Sequence, residues 1–257
     1  MPAAKTEDLV AALDEALEPS KFEDYGPNGL QVPGPAETAT VATGVTASTE
    51  LFELAAKAGA GLLVVHHGLF WGDGFRVVDT KLKRRLELLF DNGIALAAYH
   101  LPLDAHPTLG NNALLADALG AKRSDERFAE YKGQQVGCLA DLPGDGLMPA
   151  ELTDRVRTAT GGREPLVYEA GPPKVRRLAI VTGAGSGFLA AAAEAGADAM
   201  ITGEVPERAM AEAKELDVRL IAAGHYATET FGIRALGEHL AAELGVDHIF
   251  LDVPNPV

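Results

Sequence analysis

Four of the seven histidines sit just past the ends of apolar runs. Leu220-Ile221-Ala222-Ala223 breaks at Gly224, His225 follows, and Glu229 lies four residues on. In a helical turn that spacing sets imidazole and carboxylate on neighbouring positions of one face. Ile94 to Tyr99 leads in the same way to His100, with Asp104 four residues later. A third run, Leu62 to Val65, ends in His66 and His67. Ends of apolar strands are where α/β sheets place their chemistry.

Six residues therefore offer nitrogen or oxygen to a metal: His66, His67, His100, Asp104, His225 and Glu229. Two divalent ions about 3.5–4 Å apart need several such ligands and usually a bridging carboxylate. A mixed imidazole and carboxylate set suits Zn, Mn, Fe or Ni without choosing among them. Adjacent strand residues face opposite ways, so His66 and His67 are expected where the strand yields to a loop, with Gly68 permitting the turn. Pro102 disfavours a helical Leu101, so His100 and Asp104 are not expected to share a regular turn. For His100 that leaves two readings, a ligand or a group beside the ligands. His106, His239 and His248 read as structural.

The elements that must carry these residues follow from periodicity. Helices are expected over 6–17 with Thr6 as cap, 50–58 capped by Ser48 or Thr49, 81–92, 111–119 and 149–160. Strands are expected at 30–32, 40–45, 62–65, 94–99, 135–139, 166–168 and at the HIFLDV run, 248–253. Gly68 to Phe75 reads as a loop rich in glycine and aromatics. Thr182 to Gly187 (TGAGSG) lacks the spacing of a nucleotide loop and a following lysine, so tight strand-to-helix packing is its expected role.

The most informative internal feature is a repeat. Residues 176–204 lie over 39–67 without a gap, and the approach to His225 lies over the approach to His100. Glu229 then falls on Asp104. The reading is an α/β fold with duplicated β-α-β-α-β-α halves. The first half spans 1–121, an inserted α+β element 122–173, and the second half 174–257, the halves packing together to form the metal site.

Composition narrows the partners. The chain has 257 residues, 37 acids against 22 bases, and a net charge of −15. Phosphate backbones want a basic face, so nucleic acid is not expected. An acidic surface fits plain solubility or a salt-adapted cytoplasm. The one cysteine, Cys138, excludes a disulfide framework and thiolate-rich metal sites. No apolar run is long enough to span a bilayer, and the start of the chain has no basic region leading into an apolar one. The expected location is the cytoplasm.

With these residues assembled, the sequence resembles the NIF-three-like dinuclear-metal family, catalogued as GTP cyclohydrolase I type 2 homologs. The resemblance rests on NGLQV at Asn28–Val32, VVHHGLFW at Val64–Trp71, AAYHLPLDAH at Ala97–His106, GEVPE at Gly203–Glu207, AAGHYATETFGIRAL at Ala222–Leu236 and the closing DVPNPV. It implies the NIF-three-like fold and two divalent ions per chain. His66 and His225 would hold one ion, His67 and Asp104 the other, and Glu229 would bridge both. His100 is not among the family's usual ligands, which makes it the natural acid/base candidate. The resemblance also implies a homohexameric ring. The expected activity is metal-dependent hydrolysis of a small molecule or nucleotide, whether GTP cyclohydrolase-like or acting on phosphoesters or amides. The alternative is a non-enzymatic metal-handling or regulatory scaffold.

Overall fold

The computed structural model describes residues 3–72 and 77–257. The first two residues, and residues 73–76 of the loop expected after His67, lie outside the described residues. The fold is α/β. The chain divides into two compact units, Met1–Leu103 with Gly232–Val253, and Asp104–Phe231 with Pro254–Val257.

The sheet of the first unit runs Asp247–Phe250, Thr40–Thr46, Leu62–His67, Ala95–Ala98, Gly29–Val32. The first four strands are parallel and the last is antiparallel. Leu62 to Val65 are fully buried, as a strand covered on both faces must be. Phe52 and Leu51 of the helix Thr49–Lys57 pack on one face with Val65 and Leu96. Ser48 caps that helix by accepting from the Leu51 amide at 3.2 Å. The helix Thr80–Asp91 begins one residue earlier than expected and is capped by Asp79, which accepts from the Leu82 amide at 2.7 Å. Thr6 is not a cap. It is the first residue of the helix Thr6–Leu17, and its hydroxyl donates to the Pro35 carbonyl at 2.6 Å. Leu9, Leu13 and Leu17 of that helix are buried, each contributing roughly 1.5–3 kcal/mol.

The second unit's sheet runs Leu166–Tyr168, Arg219–Ala222, Ala199–Thr202, Arg177–Val181, Cys138–Asp141, Lys122–Arg123. Its middle strands, Arg177–Val181, Ala199–Thr202 and Arg219–Ala222, are parallel. In both sheets, then, three successive parallel strands stand in sequence order, and an antiparallel strand flanks the third. The repeat read from the sequence is visible in that shared order. Residues 122–173 supply the outer strands of this sheet and the helix Pro149–Ala159, whose Leu152 and Val156 are buried against Ile180, Ile201 and Ile221. The strand expected at 135–139 is two short ones, Gln134–Gln135 and Cys138–Asp141. Gly137 lies between them, where a Cβ would meet Val181 and Ala129.

The closing strand, Asp247–Phe250, adds to the first unit's sheet by pairing with Thr40–Thr46. Among the described residues, no helix is long and apolar enough to cross a membrane.

Candidate metal centre

In the first unit, His66 and His67 both belong to the strand Leu62–His67, not to a loop beyond it. Their rings still lie only 4.7 Å apart, centroid to centroid. The reason is uneven pairing. On one side the ladder stops at Val65↔Ala98, while on the other Thr46 still faces His67. Freed on one edge, the strand end lets both imidazoles approach the His100 ring, at 5.0 and 5.6 Å. One nitrogen from each of His66, His67 and His100 lies within 4.8 Å of the others. Gly68 has no left-handed backbone. What it supplies is room, because a Cβ there would meet the Gln31 amide.

Each imidazole is held by its Nδ1. The Nδ1 of His66 donates to the Tyr99 carbonyl at 3.0 Å, inside the core. The Nδ1 of His67 pairs with the Thr46 hydroxyl at 2.9 Å. Such outer contacts fix the ring and leave Nε2 as the ligating atom. The Nδ1 of His100 meets the Asp24 carboxylate at 2.7 Å.

The NGLQV segment ties down the backbone that carries these rings. Asn28 accepts from the His100 amide at 2.8 Å and donates to Asp24 at 2.9 Å. Gln31 accepts from the Leu69 amide at 2.8 Å and donates to the Pro27 carbonyl at 2.8 Å. Asp24 also accepts from the Leu101 amide at 2.9 Å. Burial would raise its pKa, but the bond and charge of His100, with Asn28 and Leu101, outweigh that and hold it below the usual carboxylate value. Asp24 was not singled out in the sequence. Its signal is indirect, a carboxylate four residues before the Asn28 turn. Trp71 stands edge-on to His100 at 5.0 Å and donates to the Gly68 carbonyl at 3.0 Å.

Leu101 is helical after all: Leu101–Ala105 is a short helix with Pro102 in its first turn. Proline is tolerated there because its missing N–H has no helical partner to lose. His100 precedes this helix, and its carbonyl accepts from the Leu103 amide at 2.9 Å.

In the second unit, three loops past the parallel strands are tied together by glycines. The Gly183 carbonyl accepts from the Gly203 and Glu204 amides at 2.9 and 3.0 Å, and Gly203 accepts from Gly224 at 2.8 Å. Gly183 has φ +62°, and a Cβ there would collide with the Glu229 carboxylate. Within TGAGSG, Gly183 is thus packed against this cluster and Gly185 against Val181 and Thr202, where the sequence suggests strand-to-helix packing. His225 opens the short helix His225–Thr228, and Glu229 ends it. The His225 Nε2 lies 3.2 Å from Glu229 and its Nδ1 3.3 Å from Glu204. Burial disfavours the charged ring, yet the two carboxylates prevail and raise its pKa above the ordinary value.

Asp104 is buried and accepts from the Asn111 amide nitrogen at 2.8 Å. The Thr182 hydroxyl donates to the same oxygen at 3.4 Å. Asn112 ties the segment down, donating to the Asp104 carbonyl at 3.0 Å and accepting from the Thr182 amide at 2.8 Å. Both asparagines escaped the sequence reading. Their signal is a pair of adjacent asparagines opening the helix Asn111–Ala118, both buried in the fold.

The three histidines read as structural each have a local partner. His106 accepts from the Leu109 amide at 2.8 Å, His239 pairs with Glu243 at 3.0 Å, and His248 with the Thr43 hydroxyl at 2.8 Å. Burial pushes the Cys138 thiol up to about 12, so it is no nucleophile at neutral pH.

The residues fit divalent ions. Buried carboxylates are costly unless charge answers them, and Asp104 and Glu229 are 9% and 2% exposed. The imidazoles in the first unit and the carboxylates in the second each offer the nitrogen or oxygen donors that borderline and hard divalent ions accept, and the absent Cβ of Gly183 leaves Glu229 its place.

Comparison with known proteins gives one consistent answer. The family model described as Duf34/NIF3 (NGG1p interacting factor 3) matches residues 4–256. A Pseudomonas aeruginosa protein called GTP cyclohydrolase 1 type 2 homolog is 43% identical over 249 residues, covering 96% of this chain and 97% of that one. A solved structure of a protein called ybgI superposes with a TM-score of 0.92 at 40% identity, covering 99% of this chain and 100% of that one. The crystal structure of TTHA1606 from Thermus thermophilus gives a TM-score of 0.88 at 39% identity, covering 99% and 100%.

Proposed function

The chain belongs to the Duf34/NIF3 family, and from that premise we propose that it is a hydrolase working with two divalent ions. The proposed ligands are His66 and His225 on one ion, His67 and Asp104 on the other, and Glu229 on both. Bound there, the ions would polarise the scissile bond and make water acidic enough to react. Zn, Mn, Fe and Ni all suit the set.

The observation that carries the reading is the Asp24–His100 pair beside the two ligand histidines. Asp24 holds the Nδ1 of His100 and so directs Nε2 as the group that moves a proton. Trp71 and Tyr25 flank that ring at 5.0 and 5.9 Å. A metal-handling scaffold gains nothing from an oriented acid/base, which favours hydrolysis over that alternative. The relatives' name makes the GTP ring one substrate to try, with phosphoesters and amides beside it. A six-chain ring and a cytoplasmic location belong to the same reading, on the grounds of the family resemblance and the single cysteine.

The test is metal-loaded protein incubated with a panel of nucleotides and phosphoesters, alongside Glu229→Gln. Turnover that the variant loses supports the reading. A parent that holds two ions and turns over nothing in the panel favours the scaffold.

A further inference from the structure

Within the second unit Arg163 differs from three arginines of the same sheet and its helix. Arg157, Arg177 and Arg219 each hold a carboxylate, with Glu164 at 2.8 Å, Glu126 at 2.7 Å and Glu169 at 2.9 Å. Arg163 pairs with no carboxylate among the described residues, although the chain carries 37 acids against 22 bases. Its neighbour Glu164 is taken by Arg157.

The position of Arg163 is built, not incidental. The helix Pro149–Ala159 ends in Gly161 and Gly162, both left-handed at φ +76° and +87°. The Gly162 amide bonds back to the Arg157 carbonyl at 2.8 Å. From there the chain enters the strand Leu166–Tyr168, which pairs antiparallel with Arg219–Ala222, Leu166 facing Ala222. Carried back three residues, that register brings Arg163 level with His225. The side chain itself lies against the residue before His225. Its Cδ and Nε occupy the space a Cβ on Gly224 would take, each 2.9 Å from it. Gly224 itself has φ +99° and is the residue before His225. A glycine is therefore needed on two counts, and one of them is to admit the arginine.

We propose that Arg163 binds a phosphoryl group of the ligand taken by the His225–Glu229 site. This names a substrate class for the hydrolase reading above and rests on it. A guanidinium presents a planar fork that matches phosphate oxygens two at a time. Half-buried against Gly224, it loses little freedom when it binds. A phosphate approaching this acidic chain meets repulsion over most of the surface, so an uncommitted cation next to the metal ligands is what such a ligand requires. Pairing Arg163 with a carboxylate would have cancelled that attraction.

The experiment titrates inorganic phosphate into the Mn2+-loaded full-length protein by calorimetry, for the parent, Arg163→Gln and Arg163→Lys. Elemental analysis follows metal content in the same samples. Charge-assisted hydrogen bonds of this kind correspond to roughly 10- to 100-fold in affinity. Arg163→Gln should weaken phosphate by that factor with metal content unchanged, and Arg163→Lys should recover part of the loss. Equal phosphate affinity in parent and Arg163→Gln overturns the proposal, as does a metal-loaded parent that binds no phosphate. Acetate binding that depends on Arg163 as strongly as phosphate does overturns the phosphoryl assignment. Failure of the metal reading shows separately, as a parent that takes up no Mn2+. The same comparison on that protein still decides the role of Arg163, a weaker Arg163→Gln supporting it and equal affinities overturning it.

Discussion

Asp24 meets the Nδ1 of His100 at 2.7 Å, and the same carboxylate accepts from Asn28 and from the Leu101 amide. One buried acid thus fixes both the ring and the backbone that carries it. Asp24→Asn keeps the size but cannot accept from all of these donors. It should cost about 1–3 kcal/mol of stability. Any turnover should fall at least tenfold while metal content holds. Thermal melts and elemental analysis read the two effects; loss of metal equal to that in His66→Ala would mean Asp24 supports the ligands instead of His100.

The same pair sets a limb of the pH dependence. Asp24 has its folded pKa below the unfolded value. Its stabilisation is therefore present above the unfolded pKa and is lost as pH falls through the folded one. Melting temperature measured down the acid range should fall less steeply in Asp24→Asn than in the parent. Parallel curves would remove Asp24 as a source of acid lability.

Glu229 supplies two oxygens to the proposed pair of ions, and His225 supplies one nitrogen. Elemental analysis should show about two ions per chain in the parent, a large loss in Glu229→Gln and a partial loss in His225→Ala. His100→Ala should keep its metal. The His225 pKa is raised, so protons compete for this ligand sooner than for an ordinary histidine. Uptake should weaken on acidification at a higher pH than an unperturbed imidazole would give. A Glu229→Gln protein with two tightly held ions would refute the bridge.

Gly183→Ala puts a methyl group against the Glu229 carboxylate on a backbone with φ +62°. The strain should cost on the order of 1–2 kcal/mol and displace Glu229. Both lower stability and lower metal content are expected. A variant with parental metal content would show that the loop yields without moving Glu229.

Light scattering at high salt should give the mass of six chains, and the assembly should loosen in dilute buffer, where the −15 charge is poorly screened. A monomer at every salt concentration refutes the ring.

Local patterning was enough to reveal the alternation of strands and helices, the repeat of 39–67 in 176–204, and histidines at strand ends. Periodicity, caps and glycines act over a few residues, and those signals survive in a bare string of letters. The contacts that hold the chemistry in place do not. Asp24 reaches His100 across 76 positions and Asn112 reaches Thr182 across 70. No spacing rule connects them; only the sheet brings them together. His66 and His67 make the same point at short range. Alternation on a strand predicts opposite faces, and the two rings converge because the ladder on one side ends at Val65. Arg163 is the last case. Nothing around it in the sequence marks it, and its place beside Gly224 follows from antiparallel pairing with a strand more than fifty residues away. Pairing between distant segments is a property of the folded chain, because it is set by which apolar faces are buried together and not by the residues next to each partner.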